Sequence, residues 1–249
     1  MPRAYRIGQI VPSSNTTMET EIPAMLRARE AVREERFTFH SSRMRMQKVT
    51  KEQLEAMDAD SLRCAAELAD ADVDVMGYAC LVAIMSMGIG YHRRSEERLA
   101  AVASDTGHPA PIVTSAGALV DGLRDLKAQR IAIVTPYMRP LTDLVVSYIE
   151  AEGIEVIDSI ALEIPDNLEV GRRDPMKLVT DVEGLNIEGA DAVVISACVQ
   201  MPSLPAIEAV QDKLGLPVTT AAACTTRKLL QALDLEPVTP GAGAVLSNQ

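Results

Sequence analysis

The sequence is poor in positive charge. Its 24 Lys and Arg stand against 35 Asp and Glu, a net charge of −11. Binding a phosphate backbone needs clustered Lys and Arg, so no nucleic-acid partner is expected. An anionic ligand would meet an opposing field, and local donors such as backbone N–H groups at helix starts would have to hold it. Histidine is scarce (His40, His92 and His108). No two of the four cysteines (Cys64, Cys80, Cys198 and Cys224) stand at a spacing such as Cys-x-x-Cys. No metal site is expected from them. A long apolar run is missing too. The longest stretch without charge or His is the 17 residues from Val75 to Tyr91, which carries Gly77, Ser86, Gly88 and Gly90. A spanning helix needs roughly 20 mostly apolar residues, so no membrane association is expected. Met1-Pro2-Arg3-Ala4-Tyr5 has no look of a secretory leader. The expected compartment is the cytoplasm, with free thiols rather than a disulfide framework. No low-complexity run points to disorder.

What the sequence does have is a steady alternation of strand and helix. Strands are predicted at 5–11, 37–42, 73–79, 111–113, 130–135, 154–162, 192–197 and 217–219. Helices are predicted at 18–29, 51–69, 96–105, 115–127, 141–152, 176–185, 202–214 and 222–233. Thr50 with Gln53 three residues on fits a capping box for the second helix. Leu54, Met57, Cys64, Ala65 and Leu68 recur on one face of it. The tail from Leu235 is rich in Pro and Gly and weakly specified. Alternating β and α elements over 249 residues predict an α/β chain with doubly wound parallel sheets.

The two halves echo each other. Arg6-Ile7-Gly8-Gln9-Ile10-Val11-Pro12 matches Arg130-Ile131-Ala132-Ile133-Val134-Thr135-Pro136 in register. Ala71-Asp72 precedes one apolar run that ends in Ala79-Cys80, and Ala190-Asp191 precedes another that ends in Ala197-Cys198. Pro12 to Cys80 is 68 residues and Pro136 to Cys198 is 62. Two similar α/β subdomains related by a pseudo-two-fold axis are expected, with the active site between them. The first is 1–116 together with a returning C-terminal segment, 222–249, and the second is 117–221. A homodimer is the expected assembly, since two-fold dimers are the commonest closed oligomers.

Ligands of open α/β sheets bind at the carboxyl ends of the strands. A pseudo-two-fold axis would bring Cys80 and Cys198 to one pocket from opposite halves, with the turns at Pro12 and Pro136 as further walls. A free thiol titrates near roughly 8.5, and a helix N-terminus can bring it well below that. Two opposed thiols suit proton or nucleophile chemistry on one small molecule. Cys64, on an apolar helix face, reads as core, and Cys224 reads as packing. Asn15 in its turn serves equally as a helix cap, and Thr16, Thr17, Thr225 and Thr226 read first as caps. Arg93-Arg94 and Arg172-Arg173 read as solvated pairs.

The paired Ala-Cys strands, the turn Pro12-Ser13-Ser14-Asn15-Thr16 and the turn Thr135-Pro136-Tyr137 resemble the aspartate/glutamate racemase superfamily, and within it the maleate cis-trans isomerase branch. The likeness covers almost the whole chain. The related arylmalonate decarboxylases keep only one cysteine, whereas both are present here. What the resemblance implies is a cofactor-free isomerisation of maleate, a small dicarboxylate, to fumarate through a succinyl-cysteine intermediate. Cys80 would be the nucleophile and Cys198 the acid/base. Asn15, Tyr137 and Asn167 match the carboxylate-binding positions, and the backbone N–H groups of Leu81, Val82 and Val199 would complete the cradle. The other reading is a racemase of aspartate, glutamate or a hydantoin that uses the same thiols as a two-base pair. A non-enzymatic dicarboxylate binder is a third, though a binder has no need of two thiols.

Overall fold

A computed structural model describes residues 3–247. Met1 and Pro2, part of the stretch read for a leader, and the last two residues lie outside it. The chain runs through β1 (Ala4–Pro12), α1 (Met18–Arg29), β2 (Arg36–Met44), α2 (Lys51–Asp70), β3 (Val75–Tyr78), α3 (Leu81–Ser86), α4 (Tyr91–Asp105), β4 (Ile112–Thr114) and α5 (Ser115–Asp125). It continues through β5 (Arg130–Thr135), α6 (Arg139–Ala151), β6 (Glu155–Ala161), α7 (Asn167–Arg172), α8 (Leu178–Asp181), β7 (Ala192–Ser196), α9 (Ile207–Leu214), β8 (Val218–Thr220) and α10 (Ala221–Ala232). The strands form two four-stranded parallel sheets of the same order, β2-β1-β3-β4 and β6-β5-β7-β8. Of the four inner strands, β3 and β7 are buried along their whole length. That is why their sequences are continuous apolar runs rather than alternating ones.

The duplication holds at the level of single hydrogen bonds. Arg6 N–H donates to the Asp74 carboxylate (2.7 Å) and Asp74 N–H returns a bond to Arg6 O (2.9 Å). Arg130 N–H donates to the Asp191 carboxylate (2.8 Å) and Asp191 N–H returns a bond to Arg130 O (2.7 Å). The counterpart of Asp191 is therefore Asp74, not Asp72; Asp72 stands two residues too early, in a left-handed turn with φ 49°. At the other end of the strands, Ala79 N–H reaches Ile10 O and Ala197 N–H reaches Val134 O, both at 3.0 Å. Ile10 and Val134 are matched in the sequence repeat, so the ladder itself makes Cys80 and Cys198 equivalent.

Helices α5 and α10 each follow the last strand of a sheet, and they pack on each other; α10 also reaches α1, β3 and β4. The two helices meet at Gly122. A Cβ there would lie 2.5 Å from Cys224 Sγ and 3.0 Å from Cys224 Cβ. Cys224 is a packing residue, with its sulfur 3.2 Å from Thr219 Oγ1. Gly122→Ala should lower stability by about 1–3 kcal/mol, the usual cost of overpacking, as a fall in the midpoint of thermal unfolding. Beyond α10 the tail is fixed by Arg29 of α1. Although charged, Arg29 is buried, and its Nη1 donates to Glu236 O (2.5 Å) and Val238 O (2.8 Å).

Several boundaries differ from those predicted. Helix α3 is unannounced, an apolar turn that starts directly after Cys80. Helix α4 begins at Tyr91 rather than near residue 96, because Gly90 takes a left-handed conformation (φ 70°) and turns the chain into the helix. Ser95, which as the residue before 96 would have capped the predicted helix, is then an interior residue. Helix α7 lies where a loop was expected. Its cap is Asp166, whose carboxylate accepts from Leu168 N–H at 2.7 Å. The helix predicted over 176–185 is broken into 3-10 turns around α8. The helix predicted from Pro202 starts only at Ile207, after a 3-10 turn (Leu204–Ala206). Glu21 of α1 takes the N–H groups of Ser203 (2.6 Å) and Leu204 (2.7 Å). The capping box at α2 is half formed. Thr50 accepts from Gln53 N–H (3.4 Å), but the Gln53 amide oxygen accepts from Gln47 and Lys48 N–H (2.8 and 2.9 Å). That bracing orders the 47–50 loop, which carries Val49 to the site. No helix among the described residues is long and apolar enough to cross a membrane.

Candidate active site

The carboxyl ends of β1, β3, β5 and β7 meet around one cavity. Its walls are Pro12, Asn15, Met46, Val49, Cys80, Leu81, Val82, Tyr137, Asn167, Cys198, Val199 and Gln200. It is small, with about 20 Å³ of room for the centre of a water-sized sphere, and opens to solvent at the mouth. Both predicted thiols and all six residues predicted to bind substrate are thus brought together. Among the described residues, no Lys, Arg, His, Asp or Glu lines the cavity. Arg93 pairs with Glu152 and Arg173 with Asp181, away from it. Thr17 donates to Gln200 O, and Thr225 and Thr226 bond back to the previous turn of α10. Cys64 is buried on α2.

Each thiol sits at a strand end because its strand is short. Strand β3 stops at Tyr78, and Cys80 is the residue that caps α3, in extended backbone. The first N–H groups of a helix have no partner within it, and those of Leu81 and Val82 meet no acceptor among the described residues. Cys198 lies in a tight loop after β7. Ser196 Oγ closes that loop by donating to Cys198 O (2.8 Å) and Met201 O (3.2 Å).

The carboxamides are oriented by the fold. Asn15 Oδ1 accepts from the N–H groups of Thr17 (2.9 Å) and Met18 (3.0 Å), capping α1. Its amide nitrogen has no partner among the described residues, so one side chain both caps the helix and offers two donors to the cavity. Asn167 Nδ2 donates to Ser14 Oγ (2.8 Å), which ties the start of α7 to the turn after β1.

Burial dominates the electrostatics. It pushes the Cys80 thiol up to about 12, with only Ala83 N–H favouring its thiolate and the neighbouring Cys198 opposing it. Cys198 is also raised by burial, but three donors favour its thiolate: the Tyr137 hydroxyl and the N–H groups of Gln200 and Met201. Tyr137 is raised well above 10 by burial and by both thiols, and stays a neutral donor. The two sulfurs therefore differ in how well each would carry a negative charge.

Pro12 is a wall of the cavity as expected, and the turn at Pro136 contributes Tyr137; Met46, Val49 and Gln200 line the cavity without having been singled out. Met46 and Val49 arrive on the loop after β2, a long way from either Cys in sequence. Gln200 stands two residues after Cys198, and only that closeness could have flagged it.

Equivalent thiols at the strand ends of a duplicated α/β fold, facing a small cavity of neutral donors, define a cysteine-dependent enzyme of small-molecule chemistry. Comparison with known proteins makes this specific. The chain belongs to the arylmalonate decarboxylase family, whose pattern it matches over residues 7–246. It is 66% identical to a maleate isomerase of Pseudomonas putida over 247 residues, 99% of each chain. A crystal structure of a Cys-to-Ala variant of the maleate isomerase from Pseudomonas putida S16, with maleate, superposes with a TM-score of 0.97 at 62% identity, covering 98% of both chains. A Cys-to-Ser variant of the Nocardia farcinica maleate cis-trans isomerase, carrying a covalently bound succinylcysteine intermediate, superposes at 0.95 with 48% identity, covering 99% of both.

Proposed function

We propose that this chain isomerises maleate to fumarate without a cofactor, through a succinyl-cysteine intermediate on Cys80. The observation that carries this reading is the pairing of Cys80 and Cys198 at one small cavity lined by neutral donors. It is supported by the relatives, one solved with maleate and one with the covalent intermediate.

The resting thiol pair holds one proton, with the charge better held on Cys198; the reactive form, reached when Cys80 passes its proton to Cys198, has the thiolate on Cys80. The Cys80 thiolate adds to one olefinic carbon, and the π pair moves to the neighbouring carbon and towards its carboxylate. Cys198 gives its proton to that carbon and becomes the thiolate. The former double bond is now single and turns. Cys198 then takes a proton from the same carbon, the double bond re-forms, and Cys80 leaves as thiolate with fumarate released. Protons and electrons return to the starting state.

The unequal environments suit these roles. Nucleophilicity falls as a thiolate becomes better stabilised, and Cys80, with one donor, is the poorly stabilised sulfur. Cys198, with three, is the better place to leave a negative charge while the adduct turns. Asn15, Tyr137, Asn167 and the N–H groups of Leu81, Val82 and Val199 hold the two carboxylates in this reading. A cytoplasmic, homodimeric enzyme fits a chemistry that needs two reduced thiols.

Proton NMR of the protein with maleate tests the proposal: the maleate olefinic signal should fall as that of fumarate rises. Loss of optical rotation from L-aspartate with maleate untouched would mean a two-thiol racemase instead.

A further inference from the structure

The Gln200 side chain is nearly fully buried and spends its amide on three separate pieces of the site. Its Oε1 accepts from Thr16 N–H (2.8 Å), and its Nε2 donates to Ser14 O (3.1 Å) and to Asn167 O (2.7 Å). Its backbone carbonyl accepts from Thr17 Oγ1 (2.7 Å). The orientation of the amide follows from its partners. Turned over, it would set N–H against N–H at Thr16 and oxygen against two carbonyls.

These partners come from three segments far apart in sequence, and among the described residues the Gln200 side chain is the one group that bonds to both of the others, beside the single Asn167–Ser14 side-chain bond. Ser14 and Thr16 flank Asn15 in the turn after β1. Asn167 opens α7. Gln200 itself follows Cys198 after β7. The packing around the amide leaves no slack: a Cβ on Gly171 would lie 2.5 Å from Gln200 Nε2 and 2.8 Å from Thr16 Oγ1.

We infer that Gln200 is the positioning residue of the site, a clamp whose three hydrogen bonds set Asn15 and Asn167 at the spacing of the two substrate carboxylates and fix both relative to Cys198. This rests on the reading of the cavity as a dicarboxylate site. The clamp acts on geometry alone. Its loss should therefore raise KM, by misplacing two carboxylate donors, and lower kcat, by moving them relative to the acid/base thiol. A misplacement of about 1 Å can cost on the order of 10²-fold.

The experiment compares Gln200→Met and Gln200→Glu with the unaltered protein, by NMR on maleate across pH, with thermal unfolding measured alongside. Gln200→Met keeps the length and loses all three bonds; kcat/KM should fall at least 10-fold. Gln200→Glu keeps the shape. As a carboxylate it still accepts from Thr16 N–H but repels the carbonyls of Ser14 and Asn167. As a neutral acid it donates to one of them. Its activity relative to the unaltered protein should therefore climb as pH falls, a dependence that a residue filling space would not produce. A Gln200→Glu profile parallel to that of the unaltered protein overturns the inference, as does a Gln200→Met variant within threefold. If Gln200→Met does not fold, the pH profile of Gln200→Glu decides. Should the unaltered protein leave maleate untouched, it is the proposed function that fails, which the same assay shows separately.

Discussion

Cys80→Ala should abolish turnover of maleate, and Cys198→Ala should stop the reaction half-way. Without Cys80 the adding sulfur is gone, and among the described residues Cys198 is the one other thiol that lines the cavity. The double bond of maleate then stays intact, and rotation about it stays forbidden. Removing a covalent nucleophile typically costs several powers of ten in kcat, so no fumarate should appear above the uncatalysed background. Cys198→Ala is the more informative variant. Cys80 can still add, and water at the mouth can supply a proton to the neighbouring carbon. The matched base that would remove a proton again is gone. The adduct should accumulate and be seen by mass spectrometry as one added maleic acid on the peptide that carries Cys80. An adduct on Cys198 in Cys80→Ala, with none on Cys80 in Cys198→Ala, would reverse the two roles.

The sequence is enough to find these two thiols, because the repeat that marks them is a property of strands. A buried parallel strand must be apolar on both faces, so β1, β3, β5 and β7 leave runs that can be aligned by eye, and the Arg6/Arg130 and Ala79/Ala197 matches survive as actual hydrogen bonds. Asn15, Tyr137 and Asn167 were reachable through the family resemblance alone. Asn15 in particular looks like an ordinary helix cap, and it is one. Its free nitrogen becomes visible only when the cap is seen to use the oxygen. Short helices were not legible. Helix α3 lacks a polar cap, and the Asp166 cap of α7 sits in a stretch with too few apolar residues to show a period. Gln200, Met46 and Val49 meet the site through contacts between segments as much as 186 residues apart, as from Gln200 to Ser14. No local pattern encodes such a contact.

Tyr137→Phe tests the electrostatics of the pair. The change removes one hydroxyl and keeps the ring; the Tyr137 carbonyl, which accepts from Glu163 N–H (3.2 Å), is untouched. Cys198 loses one of the three donors that favour its thiolate, and a pre-organised donor in a water-poor site is worth roughly 10²–10³ in kcat. The sign of the pH effect follows. A thiol raised by burial needs higher pH to ionise, and donors to its sulfur bring it back down. With the hydroxyl gone, Cys198 rises further above the ordinary thiol range. The first ionisation belongs to the pair as a whole, yet it is governed by the better-held sulfur, which is Cys198. The ascending limb of kcat/KM against pH should therefore move to higher pH in Tyr137→Phe, and the deficit should be largest near neutrality and shrink as pH rises. If kcat/KM falls by the same factor at every pH, the hydroxyl serves a substrate carboxylate and leaves the thiol alone. Tyr137 itself cannot produce the shift by titrating, because burial and the two thiols hold it neutral well above 10.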